Sequence, residues 1–128
     1  AQWARRGVEM CVDLDAGVYS SPAGAEAMRR YLSATKPKDR IDVLMCENDI
    51  LAMGAMDVIR GEHGLRVPQD IAVVGFDNFD LCGVPAYGLT TYEQPMKGMV
   101  DAVVDMILGR NEARTVRLPG KLVIRQSA

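Results

Sequence analysis

Short apolar runs alternate along this chain with longer stretches in which apolar residues recur at helical spacing. That is the pattern of a parallel sheet covered by helices. Residues 8–12 read as a short strand after a turn at Gly7. Ser20, Ser21 and Pro22 supply a cap and a first-turn proline for a helix running to about Ala34. A charged loop at 36–40 leads into a second strand over 41–46. The next helix runs from about Ile50 to Glu62 and is closed by Gly64. After a turn at 67–70, residues 71–76 form a third strand, apolar throughout, as a strand covered on both faces should be. Residues 89–93 are extended, and Pro95 then opens a helix to Leu108 that Gly109 ends. Two short strands near 115–118 and 122–125 finish the chain, with no internal repeat or low-complexity tract.

Two of these helices are unusually apolar. Between Met96 and Leu108 the polar residues Lys97, Asp101 and Asp105 make one narrow stripe at i, i+4 and i+8. Such a helix is buried over most of its girth. Between Ile50 and Ile59 only Asp57 is charged, while Ala52, Gly54 and Ala55 are small. That helix is expected to pack on the sheet with one face and on something else with the other. A domain of 128 residues has little interior to hide both, so a partner surface is expected.

Bulk properties narrow the function classes. The apolar share of 48% is enough for a core, and the net charge of -2 gives no electrostatic reason to grip a phosphate backbone. Cys11, Cys46 and Cys82 are odd in number, far apart and in no metal-like spacing. They read as reduced structural thiols in a reducing, cytoplasmic compartment. The start has no signal-peptide shape, and no apolar stretch approaches the ~20 residues of a membrane helix. The chain begins in what looks like the end of a helix, as a fragment would.

In open parallel sheets, ligands bind beyond the carboxyl ends of strands. Three polar clusters fall there: residues 13–20 after the first strand, Glu47-Asn48-Asp49 after the second and Asp77-Asn78 after the third. Carboxylate and amide groups at strand ends suit hydrogen bonding to the hydroxyls of a small polar ligand. Tyr19 could cover an apolar ring face. Each has a plainer alternative. Asn48 or Asp49 is an obvious helix cap, Asp77 closes a turn, Tyr19 is half-buried, and Asp13 and Asp15 are simply solvated.

Catalytic readings fare worse. The single histidine, His63, sits at a helix end where positive charge is welcome. There is no G-x-S-x-G elbow, no phosphate loop, no zinc spacing and nothing that selects a pair of carboxylates. No metal, cofactor or enzymatic activity is expected.

Cys46-Glu47-Asn48-Asp49-Ile50-Leu51-Ala52-Met53-Gly54-Ala55 resembles a run of the LacI/GalR transcription regulators. So does the segment from Gly64-Leu65-Arg66-Val67-Pro68 through Asp70-Ile71-Ala72-Val73-Val74-Gly75-Phe76-Asp77-Asn78. Leu89-Thr90-Thr91 with Gln94-Pro95, then Leu118-Pro119 and Leu122-Val123-Ile124-Arg125-Gln126-Ser127, are similar to later motifs of that family, in the same order. The likeness covers nearly the whole chain.

The resemblance implies an α/β three-layer sandwich of the type-I periplasmic-binding-protein-like fold, in which two subdomains clamp a small ligand, commonly a sugar or a purine-like molecule. Residues 1–128 would be the C-terminal subdomain plus tail. The helix at 95–109 would pack in an N-terminal subdomain that, with the DNA-binding helix-turn-helix, is missing here. The family's arginine ligand would likewise precede Ala1. By motif position Asn48 and Asp77 are ligand hydrogen-bonding residues and Tyr19 packs on the ligand, with Glu47 and Asp80 as weaker rim candidates. The family also implies dimers, through the helix at 50–59 and the loop at 82–87, with Met53 and Met56 as contact residues; their plain alternative is that both face the chain's own sheet. Without the N-terminal subdomain, the helix after Pro95 is expected either to refold against this domain or to bury itself in another copy. The implied partners are a small-molecule effector, a sugar or a similar molecule, and a homodimer or domain-swapped oligomer, with DNA reached only through the helix-turn-helix and no membrane. A periplasmic sugar-binding protein of a transport system is the alternative, and a small flavodoxin-like enzyme a second rival.

Overall fold

The computed structural model describes Gly7, residues 11–110 and residues 115–128. Seven main elements follow one another: α1 (Ser21–Ala34), β1 (Val43–Met45), α2 (Asp49–Asp57), β2 (Ala72–Phe76), β3 (Thr90–Glu93), α3 (Met96–Ile107) and β4 (Lys121–Val123). A wide helical turn at Val58–Glu62 continues α2, and short 3-10 turns stand at Pro37–Asp39 and Asp80–Gly83.

The helix starts have local causes. Ser20 Oγ accepts from the Ala23 N–H, and Pro22 sits in the first turn of α1. Asn48 Oδ1 accepts from the Leu51 N–H and caps α2. Each acceptor satisfies one of the amides a helix start leaves unpaired. Gly64, at φ +61°, makes the left-handed turn that ends the second helical stretch.

The sheet runs β1-β2-β3-β4. The first three strands are parallel, with Met45 opposite Val74 and Phe76 opposite Tyr92, and β4 returns antiparallel to β3. The expected strand over 115–118 is not formed: residues 115–120 are irregular. The expected strand over 8–12 falls largely outside the described residues, and Cys11 and Val12 are not in a strand.

α2 packs on β2 with one side and on α1 with the other. The helices approach closely through two glycines: a Cβ on Gly54 would lie 1.9 Å from the Ser21 carbonyl oxygen, and one on Gly24 2.4 Å from that of Leu51. Met28, Tyr31 and Leu32 of α1 join Leu51, Met53 and Met56 of α2, together with Ile59, Ile71, Val73 and Leu89, in one core.

One expectation is corrected here. Met53 and Met56, expected at a dimer contact, are 4% and 0% exposed within the chain's own core. They are enclosed because α2 is wedged between sheet and α1. The expected α/β class holds, a mixed sheet interleaved with helices, and among the described residues α2 packs on one face of that sheet. Leu44, Val73 and Thr91 face the helices, whereas Val43, Met45 and Leu122 on the opposite face are exposed, Met45 at 70%. α3, for its part, has no buried residue and does not refold onto this domain.

Candidate functional site

Because β1 and β2 are adjacent and parallel, their carboxyl ends open at the same edge of the sheet. Glu47-Asn48 leaves one and Asp77-Asn78 the other, so the two predicted hydrogen-bonding residues share an edge. β3 is the next parallel strand, and Gln94 follows its end. Three consecutive strand ends therefore deliver polar side chains to one place.

Asn48 combines its two readings. Its Oδ1 is engaged in capping α2, 2.9 Å from the Leu51 nitrogen, while its amide nitrogen makes no hydrogen bond among the described residues. The plainer role is realised, and a donor is left over. Asp77 is exposed, with φ +115°. Its N–H donates to the Tyr92 carbonyl at 2.9 Å, and its Oδ1 accepts from Gln94 Nε2 at 2.6 Å. It does close a turn, and its carboxylate nevertheless points outward enough to meet Gln94.

Tyr19 is not half-buried: it is 67% exposed, and its hydroxyl donates to Glu47 Oε2 at 2.7 Å. That hydrogen bond to a carboxylate raises the phenol pKa above its ordinary value. Tyr19 thus reaches the residue beside Asn48, and Glu47 belongs with it. Asp80 is exposed on the 3-10 turn that follows Phe79. Asp13 and Asp15 are exposed too; Asp15 Oδ1 accepts from the Gly17 N–H within its own loop.

The sequence reading placed Asp49 and Asn78 in the polar clusters but not their contacts, and it did not single out Gln94 as a site residue. Asn78 Nδ2 donates to Glu93 Oε2 and its Oδ1 accepts from Arg125 Nη2. Asp49 turns inward: its Oδ1 accepts from Thr91 Oγ1 at 2.5 Å and its Oδ2 from the Phe79 N–H at 2.7 Å. Gln94 was findable, since it follows a strand end just as Asn48 and Asp77 do. The inward turn of Asp49 was not, because a helix-start carboxylate ordinarily stays in water. A hollow of about 130 Å³ lies beside Gln94, lined by Glu93, Pro95, Pro119, Gly120 and Lys121, but not by Asn48 or Asp77.

Chemically, the edge offers neutral donors and anionic acceptors with one aromatic ring. Among the described residues, no group of three or more His, Cys, Asp or Glu could hold a metal ion. Burial pushes the thiols of Cys46 and Cys82 up to about 12, so both stay protonated and poorly nucleophilic at neutral pH. The arrangement is suited to gripping hydroxyls.

A family model for the periplasmic binding protein-like domain matches residues 2–128. The HTH-type transcriptional repressor PurR of Photobacterium profundum is 33% identical over 116 residues, which is 87% of this chain and 34% of the repressor. The chain therefore spans about a third of the length of that curated relative. A protein described as a regulator of the LacI family, from Sanguibacter keddieii DSM 10542, superposes with a TM-score of 0.83 at 31% identity, covering 98% of this chain and 50% of the other. A LacI family transcriptional regulator from Lactobacillus casei, solved with bound sucrose, superposes with a TM-score of 0.70 at 29% identity, covering 87% of this chain and 42% of that one.

Proposed function

This chain belongs to the periplasmic binding protein-like family, in its LacI/GalR branch, and from that premise we propose that it is the effector-sensing part of a transcription regulator and not an enzyme. The observation that carries the proposal is the convergence of Asn48, Asp77 and Gln94 at the ends of three neighbouring parallel strands, with Tyr19 beside them. Asn48 donates to a ligand oxygen, Asp77 accepts from ligand hydroxyls, and Tyr19 covers an apolar ring face. A sugar supplies both kinds of surface. The sucrose held by the Lactobacillus casei regulator is in keeping with that class.

One wall of hydrogen-bonding groups on an open edge does not enclose a ligand. The opposite wall comes from an N-terminal subdomain of the whole protein, against which α3 packs. The helix-turn-helix lies in that other part, so DNA is a partner of the whole protein and the net charge of -2 on this chain is no obstacle. Effector held between the subdomains favours one of their relative orientations and so shifts the balance of DNA-bound and free protein. The regulator works in the cytoplasm as a homodimer or a domain-swapped oligomer. The repressor name of the curated relative favours this over a transport binding protein.

The test is a thermal-shift screen of sucrose, glucose and galactosides against the whole protein that carries this chain. A binding sugar raises the melting temperature, by a stabilisation that grows with the logarithm of its concentration over its dissociation constant. Asn48→Ala and Asp77→Ala should each weaken it about tenfold, the effect of one lost hydrogen bond to a charged or polar group. Unchanged affinity in both variants would refute the assignment. The isolated chain, with one wall, should bind the same sugar far more weakly by isothermal titration.

A further inference from the structure

Asp77 and Asn78 stand in succession at φ +115° and +59°. Asparagine tolerates the second value; the first lies outside the ordinary wells of an aspartate. Non-glycine residues persist in such conformations only where their surroundings over-determine them, and they gather at functional sites. Here the surroundings are specific. The Asp77 N–H donates to the Tyr92 carbonyl, and the Asn78 N–H to Thr91 Oγ1 at 3.3 Å.

The Asn78 side chain is held at both ends. Its Nδ2 donates to Glu93 Oε2 at 2.6 Å, and its Oδ1 accepts from Arg125 Nη2 at 2.8 Å. Each of these partners is itself anchored. Arg125 Nη1 donates to the Leu89 carbonyl at 2.7 Å, and the Arg125 N–H to Thr90 Oγ1 at 2.9 Å. Glu93 Oε1 pairs with Lys121 Nζ at 3.3 Å. Glu93 also immediately precedes Gln94, the residue that donates to Asp77 Oδ1. Only one polarity satisfies this chain of contacts: amide oxygen toward the guanidinium, amide nitrogen toward the carboxylate.

We infer that Asn78, Glu93 and Arg125 form a positioning clamp that fixes the left-handed turn and so aims Asp77 at the effector. The last segment of the chain then sets effector affinity without touching the effector. Charge-assisted hydrogen bonds at both ends of one short amide give the turn the rigidity that its dihedral angles demand. The inference rests on the reading of Asp77 as an effector contact.

The test exploits the polarity. Asn78→Asp sets a carboxylate against Glu93, and adding Glu93→Gln to it restores a donor there. Amide hydrogen exchange of the folded protein reads the turn directly. In Asn78→Asp, and in Arg125→Met, exchange at residues 77 and 78 should accelerate about tenfold while the amides of α2 keep their wild-type rates. The double variant should return to the wild-type pattern. A turn whose exchange is indifferent to Asn78→Asp and Arg125→Met overturns the clamp. If Asn78→Asp does not fold, Glu93→Gln alone, which keeps an acceptor without its charge, makes the same comparison with a smaller acceleration. The second arm measures the dissociation constant of sucrose, or of whichever sugar of the panel raises the melting temperature. It should rise about tenfold in Asn78→Asp and recover in the double variant. Loss of affinity in Asp77→Ala without any in Asn78→Asp removes the clamp and spares the effector reading. An unchanged Asp77→Ala, or a panel without a binder, removes the effector reading, and hydrogen exchange still decides the clamp.

Discussion

Asp49 is 1% exposed, an unusual place for a carboxylate, and its neighbours explain how it is tolerated. Thr91 and the Phe79 N–H donate to it, and Gly75 leaves it room: a Cβ there would sit 2.2 Å from Oδ1. A buried polar group needs such partners. At this scale the sequence was informative about residue types and weak about direction. Asn48 and Asp49 are equally good caps on paper; in the fold Asn48 caps, while Asp49 turns inward to the Thr91 and Phe79 donors in the space that Gly75 leaves. The buried thiols lead to a test. Cys46 is pushed up to about 12 by burial and then by Asp49, and Cys82 to about 12 by burial and then by its hydrogen bond to Asp49. Both folded values lie above the ordinary 9.0, so the unfolded chain sheds these protons first as pH rises. Their contribution to stability is complete below pH 9 and is lost progressively toward pH 12. Thermal unfolding followed from pH 8 upward should therefore decline more steeply in the wild type than in a Cys46→Ala/Cys82→Ala variant. Parallel declines would show that these thiols are not protected by the fold.

At the scale of elements, sequence punctuation located the helices well. Ser20 with Pro22, Asn48 and Gly64 all act where their chemistry places them. The strand expected over 115–118 failed for a physical reason. Extended residues become a strand only by hydrogen-bonding to a neighbour, and β3 pairs instead with Lys121–Val123. The apolar girth of α2 was legible, but not what covers it. A dimer was expected to bury Met53 and Met56, whereas α1 does so, brought close by Gly24 and Gly54. This makes Gly54→Ala diagnostic. Helix propensity alone would stabilise the variant by about 1 kcal/mol. A methyl group driven against the Ser21 carbonyl should instead destabilise it, by about 1–3 kcal/mol, as overpacking does. The urea midpoint should fall; a midpoint that rises would mean that α1 and α2 do not meet this closely.

For the whole molecule, the open question is what covers α3. Met99, Val100, Val103 and Ile107 line it, Ile107 at 77% exposure, and its polar stripe is the narrow one seen in the sequence, with Lys97 donating to Asp101 at 2.6 Å. A helix this apolar is stable in water only when another surface buries it. In the proposed regulator that surface is the N-terminal subdomain. For the chain by itself we propose a second copy, the remaining alternative once refolding onto the same domain is set aside. Light scattering on the eluting chain should therefore give a mass that rises above the monomer with concentration. Val100→Lys together with Val103→Lys should return it to the monomer while circular dichroism keeps its helical signal. The sheet face carrying Val43, Met45 and Leu122 is a competing apolar surface, and the same variant separates the two. If the lysines leave the mass unchanged, association runs through the sheet. If the wild-type chain stays monomeric with α3 intact, the helix tolerates water, and its apolar stripe no longer argues for a partner.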